Sequence, residues 1–598
     1  MSHVISQRLQ QIREFMTANQ LDAYIIPRAD EYLGEYVPAS NERLKWITGF
    51  TGSAGVAVIL ANQAAIFVDG RYTVQVRQQV SADLYSFHHL IDEPYLFWTC
   101  QNLQPQQRIG IDSRTFSLHQ FNQAQALAQH LQLQLVTTEN PVDLFWEDRP
   151  YPPQDPAILL SEQITGESSL SKRQRIGHQI AQAEAQAALI TASDSIAWLL
   201  NIRGSDIPCL PVVLSQAILM SDGQMIWFVN PDKVPAGFAE HVGEGVTIRP
   251  ELEFEGALEQ LSTQCQRVQA DPATSNAWCQ LKLQQAGISL VALPDPCLLP
   301  KATKNPTEIA GTREAHRRDA AAEVKFLAWL DQQVKQNQLP NEAEASDQLE
   351  KFRMQDPDCL DLSFATISAA GSNAAMCHYN HINAEQPAQL ALNSVYLVDS
   401  GAQYRFGTTD ITRTVAIGTP STEIKERFTL VLKGMIALAC QRFPQGTTGT
   451  QLDVLARQYL WQQGLDFDHG TGHGVGHFLS VHEGPQRISK AINSIALEEG
   501  MIISDEPGFY LDGGYGIRCE NLLTVEIAES IHSDRPFYQF STLTHVPFDT
   551  RLIQKERLSD AERHWLNDYH QKVYQLVAPQ LHDDPATLAW LKQATASL

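Results

Sequence analysis

HGTGHGVGHFLSVHEG, residues 469–484, places His469, His473, His477 and His482 in one short segment, with glycines at 470, 472, 474, 476 and 484. Each interior glycine costs a helix about 1 kcal/mol relative to alanine. The run therefore reads as extended chain and turns, with glycines that let a ligand or metal approach the backbone. Imidazole is the commonest metal ligand and the usual proton carrier near neutral pH. Alone, the segment is either a site or a polar loop that happens to hold histidines. Its flanks decide between the two.

On the N-terminal side, SVYLVDSGAQYRFGTTDITRTVAIG reads as an apolar strand ending at Asp399, a turn near Arg405–Gly407, and a returning strand that contains Asp410. On the C-terminal side, GMIISDEPGFYLDGGYGIRCENLLTVEI reads as a strand with Glu506, a turn at Asp512-Gly513-Gly514, and a strand with Glu520. Carboxylates among β-branched residues are costly unless paired or metal-bound. Four converging in a sheet would repel one another and hold their protons unless cations neutralise them. Two divalent ions would do so, and carboxylate-rich ligation with a single imidazole suits manganese, magnesium or another first-row metal better than a thiolate zinc site does. Such a pair, about 3.5–4 Å apart, can share a bridging hydroxide for hydrolysis. The competing reading is two ordinary hairpins with exposed acids, which is what Asp512 is.

Further out, the 598 residues exceed one core and suggest about three domains. Residues 1–152 read as an α/β domain: an amphipathic first helix, the buried strand DAYIIP (22–27), then WITGFTGSAGVAVIL (46–60) and AAIFVDGRYTVQ (64–75), the last as strand–turn–strand about Asp69-Gly70. Gly52–Gly55 is a turn, since no Lys-Ser/Thr follows to make a phosphate loop. The proline-rich DLFWEDRPYPPQDPA (143–157) is a linker. Residues 153–305 then open with a long helical stretch, SKRQRIGHQIAQAEAQAALI, near Ser171. DSIAWLLNIRGSDIPCLPVVL (194–214) echoes ERLKWITGFTGSAGVAVIL (42–60), as a duplicated domain would. Residues 306–598 begin with a helix from Thr307 and end in a helix capped by Ser559.

The formal charge of −24, from 44 basic and 68 acidic residues, argues against nucleic acid and anionic membranes as partners. The opening MSHVISQRLQQIREFM reads as a helix and not as a signal peptide, and no apolar run is long enough to span a bilayer. Nine scattered cysteines without a CxxC argue against a disulfide framework or thiolate zinc and suit a reducing cytoplasm.

DSGAQY (399–404), GTTDITRT (407–414), HGTGHGVG (469–476), VHEGP (481–485), DEPG (505–508) and GIRCEN (516–521) together resemble the Xaa-Pro aminopeptidases, or aminopeptidase P, among the pita-bread metallopeptidases. EDRP (147–150), KATKN (301–305) and THVPFDTRLI (544–553) fit the long, three-domain cytosolic branch. The resemblance implies two similar creatinase-type α/β domains followed by a pita-bread catalytic domain. It implies Asp399 and Asp410 on a first metal, His473 and Glu506 on a second, and Asp410 and Glu520 bridging, with Mn²⁺ the preferred ion. Glu506 would be the general base for a hydroxide held between the ions. His378, expected on the strand before Asp399, and His482 would act on the substrate and the developing oxyanion; His469 would line the proline-side pocket; Arg518 would orient carboxylates or substrate. Substrates would be peptides with proline second, and the enzyme a homodimer. The alternatives are a prolidase that cleaves only Xaa-Pro dipeptides and a non-catalytic pita-bread binding protein.

Other positions read as bland. His381 and His316 are taken as surface residues; His477 departs from the family's usual residue and is either a harmless edge residue, the reading adopted, or a bias on local pKa values. Cys519 either flanks Glu520 as a sensitive thiol or turns to the opposite face as a small core residue. Trp461 is either an exposed anchor or a core residue.

Overall fold

In the computed structural model, which describes residues 2–529 and 533–598, the chain divides into two compact units, Met1–Glu162 with Glu167–Leu298 and Gln163–Gly166 with Leu299–Leu598.

The first unit contains two six-stranded sheets with one topology. The first runs, edge to edge, Ser86–His89, Ala64–Val68, Val56–Leu60, Ala23–Pro27, Arg108–Ile111, Gln134–Thr137. The second runs Val246–Arg249, Met225–Phe228, Gln216–Met220, Ala187–Ile190, Arg267–Ala270, Ser289–Ala292. Strand senses match position by position: the third strand is antiparallel to both neighbours, and the other pairings are parallel. Both are sheets with apolar cores on their faces. The weak sequence echo is the visible remnant of this repeat. It lies where helix Arg43–Thr48 ends on left-handed Gly49, and where Ser193–Leu200 ends on left-handed Asn201. Trp46 and Trp198 are buried in the two copies.

Two expectations fail here. Ala64–Val68 does not turn into a hairpin. The Asp69 carboxylate accepts from the Arg71 backbone N–H and guanidinium, the chain winds into helix Gln75–Gln79, and the next strand, Ser86–His89, lies parallel. A local side-chain turn overrides the β propensity of the Tyr-Thr-Val that follows. The helix near Ser171 runs only Ser169–Gln182; positive φ at Glu184 breaks it, and Ala187–Ile190 is the buried strand at the sheet's centre.

In the second unit, helix Pro306–Lys335 starts in a capping box made by Asn305 and Glu308. Three antiparallel strands, Ile367–Ala370, Ser394–Ser400 and Ile411–Ile417, form one sheet. A six-stranded antiparallel sheet runs Arg442–Pro444, Phe537–Thr542, Asn521–Ile527, Ile502–Asp505, Gly472–Gly474, Glu483–Ile488. Its core continues under helices Thr422–Ala439 and Asp560–Val577, the latter capped by Ser559 as its sequence predicts, with Glu562 completing a capping box.

Candidate metal centre

The acidic residues sit where strands are interrupted. Asp399 lies one residue before the end of Ser394–Ser400 and pairs with Thr412; Asp410 lies just before Ile411–Ile417. Glu506 follows Ile502–Asp505, and Glu520 precedes the paired strand Asn521–Ile527. Breaks in a buried ladder free the backbone to turn these side chains inward. The second hairpin is thus two short ladders, Ile502–Asp505 against Asn521–Ile527 and Gly508–Leu511 against Tyr515–Arg518, with both glutamates in the gap between them.

His473 enters on the three-residue strand Gly472–Gly474. Its backbone N–H donates to Ser504 Oγ at 2.9 Å. Its Nδ1 lies 2.9 Å from the Gly474 carbonyl, which places the proton on Nδ1 and leaves Nε2 for a cation. Nε2 lies 3.4 Å from Asp410 Oδ2 and 3.5 Å from Glu506 Oε1. Ligand atoms of Asp410, His473 and Glu520 all lie within 4.8 Å of one another. The glycine at 472 is required by space: a Cβ there would lie 1.9 Å from the Ser504 carbonyl oxygen. Gly472→Ala is therefore expected to force apart the two strands that carry His473 and Glu506. It should lower the stability of the metal-stripped protein by about 1–3 kcal/mol in denaturant unfolding and weaken Mn²⁺ binding in calorimetric titration.

Arg518 and Thr412 hold the carboxylates in place. The buried Arg518 guanidinium donates to Asp399 Oδ2 at 2.5 Å, to Thr412 Oγ1 at 3.0 Å and to Tyr510 OH at 2.7 Å. Thr412 Oγ1 in turn donates to Glu520 Oε2 at 2.6 Å. Asp399 Oδ1 and Glu520 Oε1 are buried with no hydrogen-bond partner. Burial, with Asp410 adding repulsion against the opposing pull of Arg518, lifts Asp399 to about 6. Burial lifts Glu506 to about 7, with His473 and Arg518 opposing and Asp410 and Asp399 adding. Glu520 is pushed well above the carboxylate range by burial and by Asp410, Asp399 and Glu506. Burial works against charge on His473, but Asp410 and Glu506 outweigh it and raise the imidazole to about 9. Four carboxylates thus face one permanent cation and one imidazole, and two of their oxygens lack any donor. That deficit of positive charge and those orphaned acceptors fit a pair of divalent ions.

The histidine row extends outward from the His473 imidazole. The His482 ring lies edge-on to His473 at 4.4 Å between centroids, and His378 stacks on His482 at 6.4 Å. His378 sits in the turn after the 3₁₀ segment Gly371–Ala375 and not on a strand, because strand Ile367–Ala370 ends eight residues earlier. His469 reaches the centre indirectly: its Nε2 lies 2.7 Å from Tyr510 OH, which bonds Arg518.

Three expectations about the other histidines are corrected. His316 and His381 are buried at 3% and 6% exposure, and burial lowers the basicity of both. His316 uses Nδ1 on the Thr312 carbonyl of its own helix turn, which lets it enter the core uncharged. His477 is interior too, not an edge residue; it lies close to Gly311 of the long helix. Cys519 takes the core-side reading: it belongs to the main apolar cluster, and burial pushes its thiol up to about 12. Trp461 is 45% exposed at the end of helix Gly449–Trp461. Thr412, Tyr510 and Ser504 were not singled out in the sequence. Only their places beside Asp410, Glu506 and Arg518 in the motifs hint at them.

Residues 310–526 match metallopeptidase family M24, and residues 536–598 match the C-terminal region of that peptidase family. Residues 8–144 and 148–308 each match a creatinase/prolidase N-terminal domain. The chain is 35% identical to the probable Xaa-Pro aminopeptidase P of Tuber melanosporum and 37% identical to aminopeptidase P1 of Arabidopsis thaliana, with 99% of each chain covered in both cases. The crystal structure of X-prolyl aminopeptidase from Caenorhabditis elegans, described as a cytosolic enzyme with a di-nuclear active site, superposes with a TM-score of 0.95 at 32% identity, over 99% of this chain and 100% of that one. An Xaa-Pro dipeptidase from Bacillus anthracis shares the fold alone, with a TM-score of 0.51 at 22% identity over 64% of this chain and 99% of its own. With two creatinase-type α/β domains ahead of a pita-bread metallopeptidase domain, the chain belongs to the Xaa-Pro aminopeptidase P family.

Proposed function

We propose that this chain is a metal-dependent aminopeptidase that removes the N-terminal residue from peptides with proline in second position. The observation that carries the reading is the quartet of buried Asp399, Asp410 and Glu520 with half-buried Glu506 about the tautomer-fixed His473. Asp399 and Asp410 would hold one ion and His473 and Glu506 the other, with Asp410 and Glu520 shared. Oxygen-rich ligation favours Mn²⁺. When bound, the ions would supply the positive charge that polarises the scissile carbonyl and acidifies the attacking water.

The chain's own groups would do the rest. Glu506, already proton-hungry through burial, takes the proton of the attacking water. His482, set against His473, would donate to the developing oxyanion, and His378, beside it, would meet the substrate. Arg518 fixes Asp399 and, through Thr412, Glu520; its Tyr510 contact carries the same network to His469 at the pocket wall. The substrate bond explains the need for so specialised a site: an Xaa-Pro amide has no N–H to donate and a fixed φ, so extended-strand recognition by ordinary peptidases fails.

A cytosolic location is part of the proposal. The Caenorhabditis elegans relative is described as cytosolic, and scattered cysteines without a CxxC suit a reducing compartment. A homodimer follows from the family resemblance. The test is mass spectrometry of Mn²⁺-loaded protein on Arg-Pro-Pro, Arg-Ala-Pro, Arg-Pro and N-acetyl-Arg-Pro-Pro. Arginine released from the first alone supports the aminopeptidase. Cleavage of the dipeptide alone makes the chain a prolidase, and cleavage of none leaves a binding platform.

A further inference from the structure

KATKN (301–305) and VHEGP (481–485), noted in the sequence only as branch markers, meet in the core of the second unit. Lys301 Nζ bonds Glu483 Oε2 at 3.0 Å, and Lys304 Nζ bonds Glu483 Oε1. All three side chains are buried, at 1% exposure or less. Three desolvated charges are a poor way to stabilise a core, since an apolar trio of the same volume does as well or better. What charged pairs do supply is direction: the lysines fix where the Glu483 carboxylate lies.

Glu483 is joined covalently to His482. It opens strand Glu483–Ile488 opposite Gly474, the residue after the ligand His473. The approach is tight on both sides. A Cβ on Gly474 would lie 2.3 Å from the Glu483 carbonyl oxygen, and one on Gly476 would lie 3.1 Å from its Oε2. The lysine segment has a second attachment. Lys304 N–H donates to the Gly500 carbonyl at 3.1 Å, and Thr303 bridges Met501. Gly500 and Met501 lead directly into Ile502–Asp505 and so to Glu506. One five-residue segment therefore grips the arm that ends in His482 through its side chains, and the strand that ends in Glu506 through its backbone.

We infer that Lys301, Lys304 and Glu483 form a buried clamp that positions His482 against His473, in register with Glu506. They are positioning residues: none touches substrate, and each acts through His482. The inference rests on the peptidase reading above.

The test is a double-mutant cycle on Mn²⁺-loaded enzyme with Arg-Pro-Pro as substrate. A single lysine or Glu483 removal leaves an uncompensated buried charge, so the first variant is the apolar triple Lys301→Met/Lys304→Met/Glu483→Leu, which is expected to fold. Glu483→Asp is the second. It keeps the charge balance but shortens the arm, and it serves if the triple variant is unstable. Either variant should lower kcat about 10–100-fold, the scale of an ångström-sized misplacement, with KM within about threefold of wild type. In a His482→Ala background the same changes should cost less than about threefold, because the positioned group is gone. Wild-type kcat in a folded variant, or equal losses in both backgrounds, would overturn the clamp. Failure of the wild-type enzyme on Arg-Pro-Pro would instead overturn the peptidase reading, so the two failures are told apart in one experiment.

Discussion

Glu506→Gln should lower turnover of an Xaa-Pro tripeptide at least about 10³-fold. A positioned general base contributes about 10²–10⁴-fold, and the same side chain stands 3.5 Å from His473, the proposed ligand, so weaker ion binding adds to the loss. Its neighbour Ser504 Oγ donates to Glu506 Oε1 at 3.3 Å, a bond that a glutamine side-chain oxygen can still accept. The fold should therefore survive, and the stripped variant at pH 8 should be more stable than the stripped wild type. Burial raises the Glu506 carboxyl from 4.5 to about 7, so its ionised form opposes folding at pH 8, whereas a neutral amide does not. Steady-state kinetics beside thermal unfolding of both stripped proteins reads the two effects. A variant that keeps near-normal turnover removes Glu506 from the role proposed.

Chelation should make stability strongly pH-dependent. Asp399 is raised from 3.8 to about 6, Glu506 from 4.5 to about 7 and His473 from 6.5 to about 9. A group whose folded value lies above its unfolded value stabilises the fold fully below the unfolded value and loses that contribution as pH rises through the folded one. All three shifts have this sign. With respect to these groups the stripped protein should thus be most stable below about pH 4 and weaken progressively toward pH 9. Each of the shifts corresponds to about 3 kcal/mol, and the coupling among the groups makes several kcal/mol the total to expect. Added Mn²⁺ should reverse the loss, with a larger increment at pH 8.5 than at pH 5.5, because the ion replaces protons. Differential scanning of EDTA-stripped protein at pH 5.5, 7 and 8.5, with and without Mn²⁺, reads this in the transition of the catalytic unit. A stripped protein whose Tm rises from pH 5.5 to 8.5 would show that the quartet does not carry these shifts.

Much of this architecture was legible in local chemistry. Apolar strands interrupted by acids marked both hairpins, and Ser559 marked the start of the helix near the C-terminus. The duplicated sheet left only the Trp46 and Trp198 segments as a trace. Topology is conserved by burial pattern, which many apolar sequences satisfy equally. What escaped depends on contacts far apart in the chain. The side chains of Thr412 and Arg518 meet across 106 positions and those of Lys301 and Glu483 across 182, and nothing in either local stretch announces the partner. His316 and His381 were misjudged as surface residues because the sequence does not show that a histidine can enter a core uncharged. The hairpin at Asp69-Gly70 was misjudged because the Asp69–Arg71 turn, not the strand-forming residues beyond it, sets the path.

The central claim is a two-ion centre that opens an Xaa-Pro bond. Its most direct measurement is a titration of stripped protein with Mn²⁺, with bound metal counted by elemental analysis and arginine release from Arg-Pro-Pro followed at each point. Two ions per chain are expected, with release reaching its plateau as the second site fills, and Asp410→Asn should prevent filling of both if it is shared as proposed. Full activity at one ion per chain, or two bound ions with no release, would contradict the centre proposed for Asp399, Asp410, His473, Glu506 and Glu520.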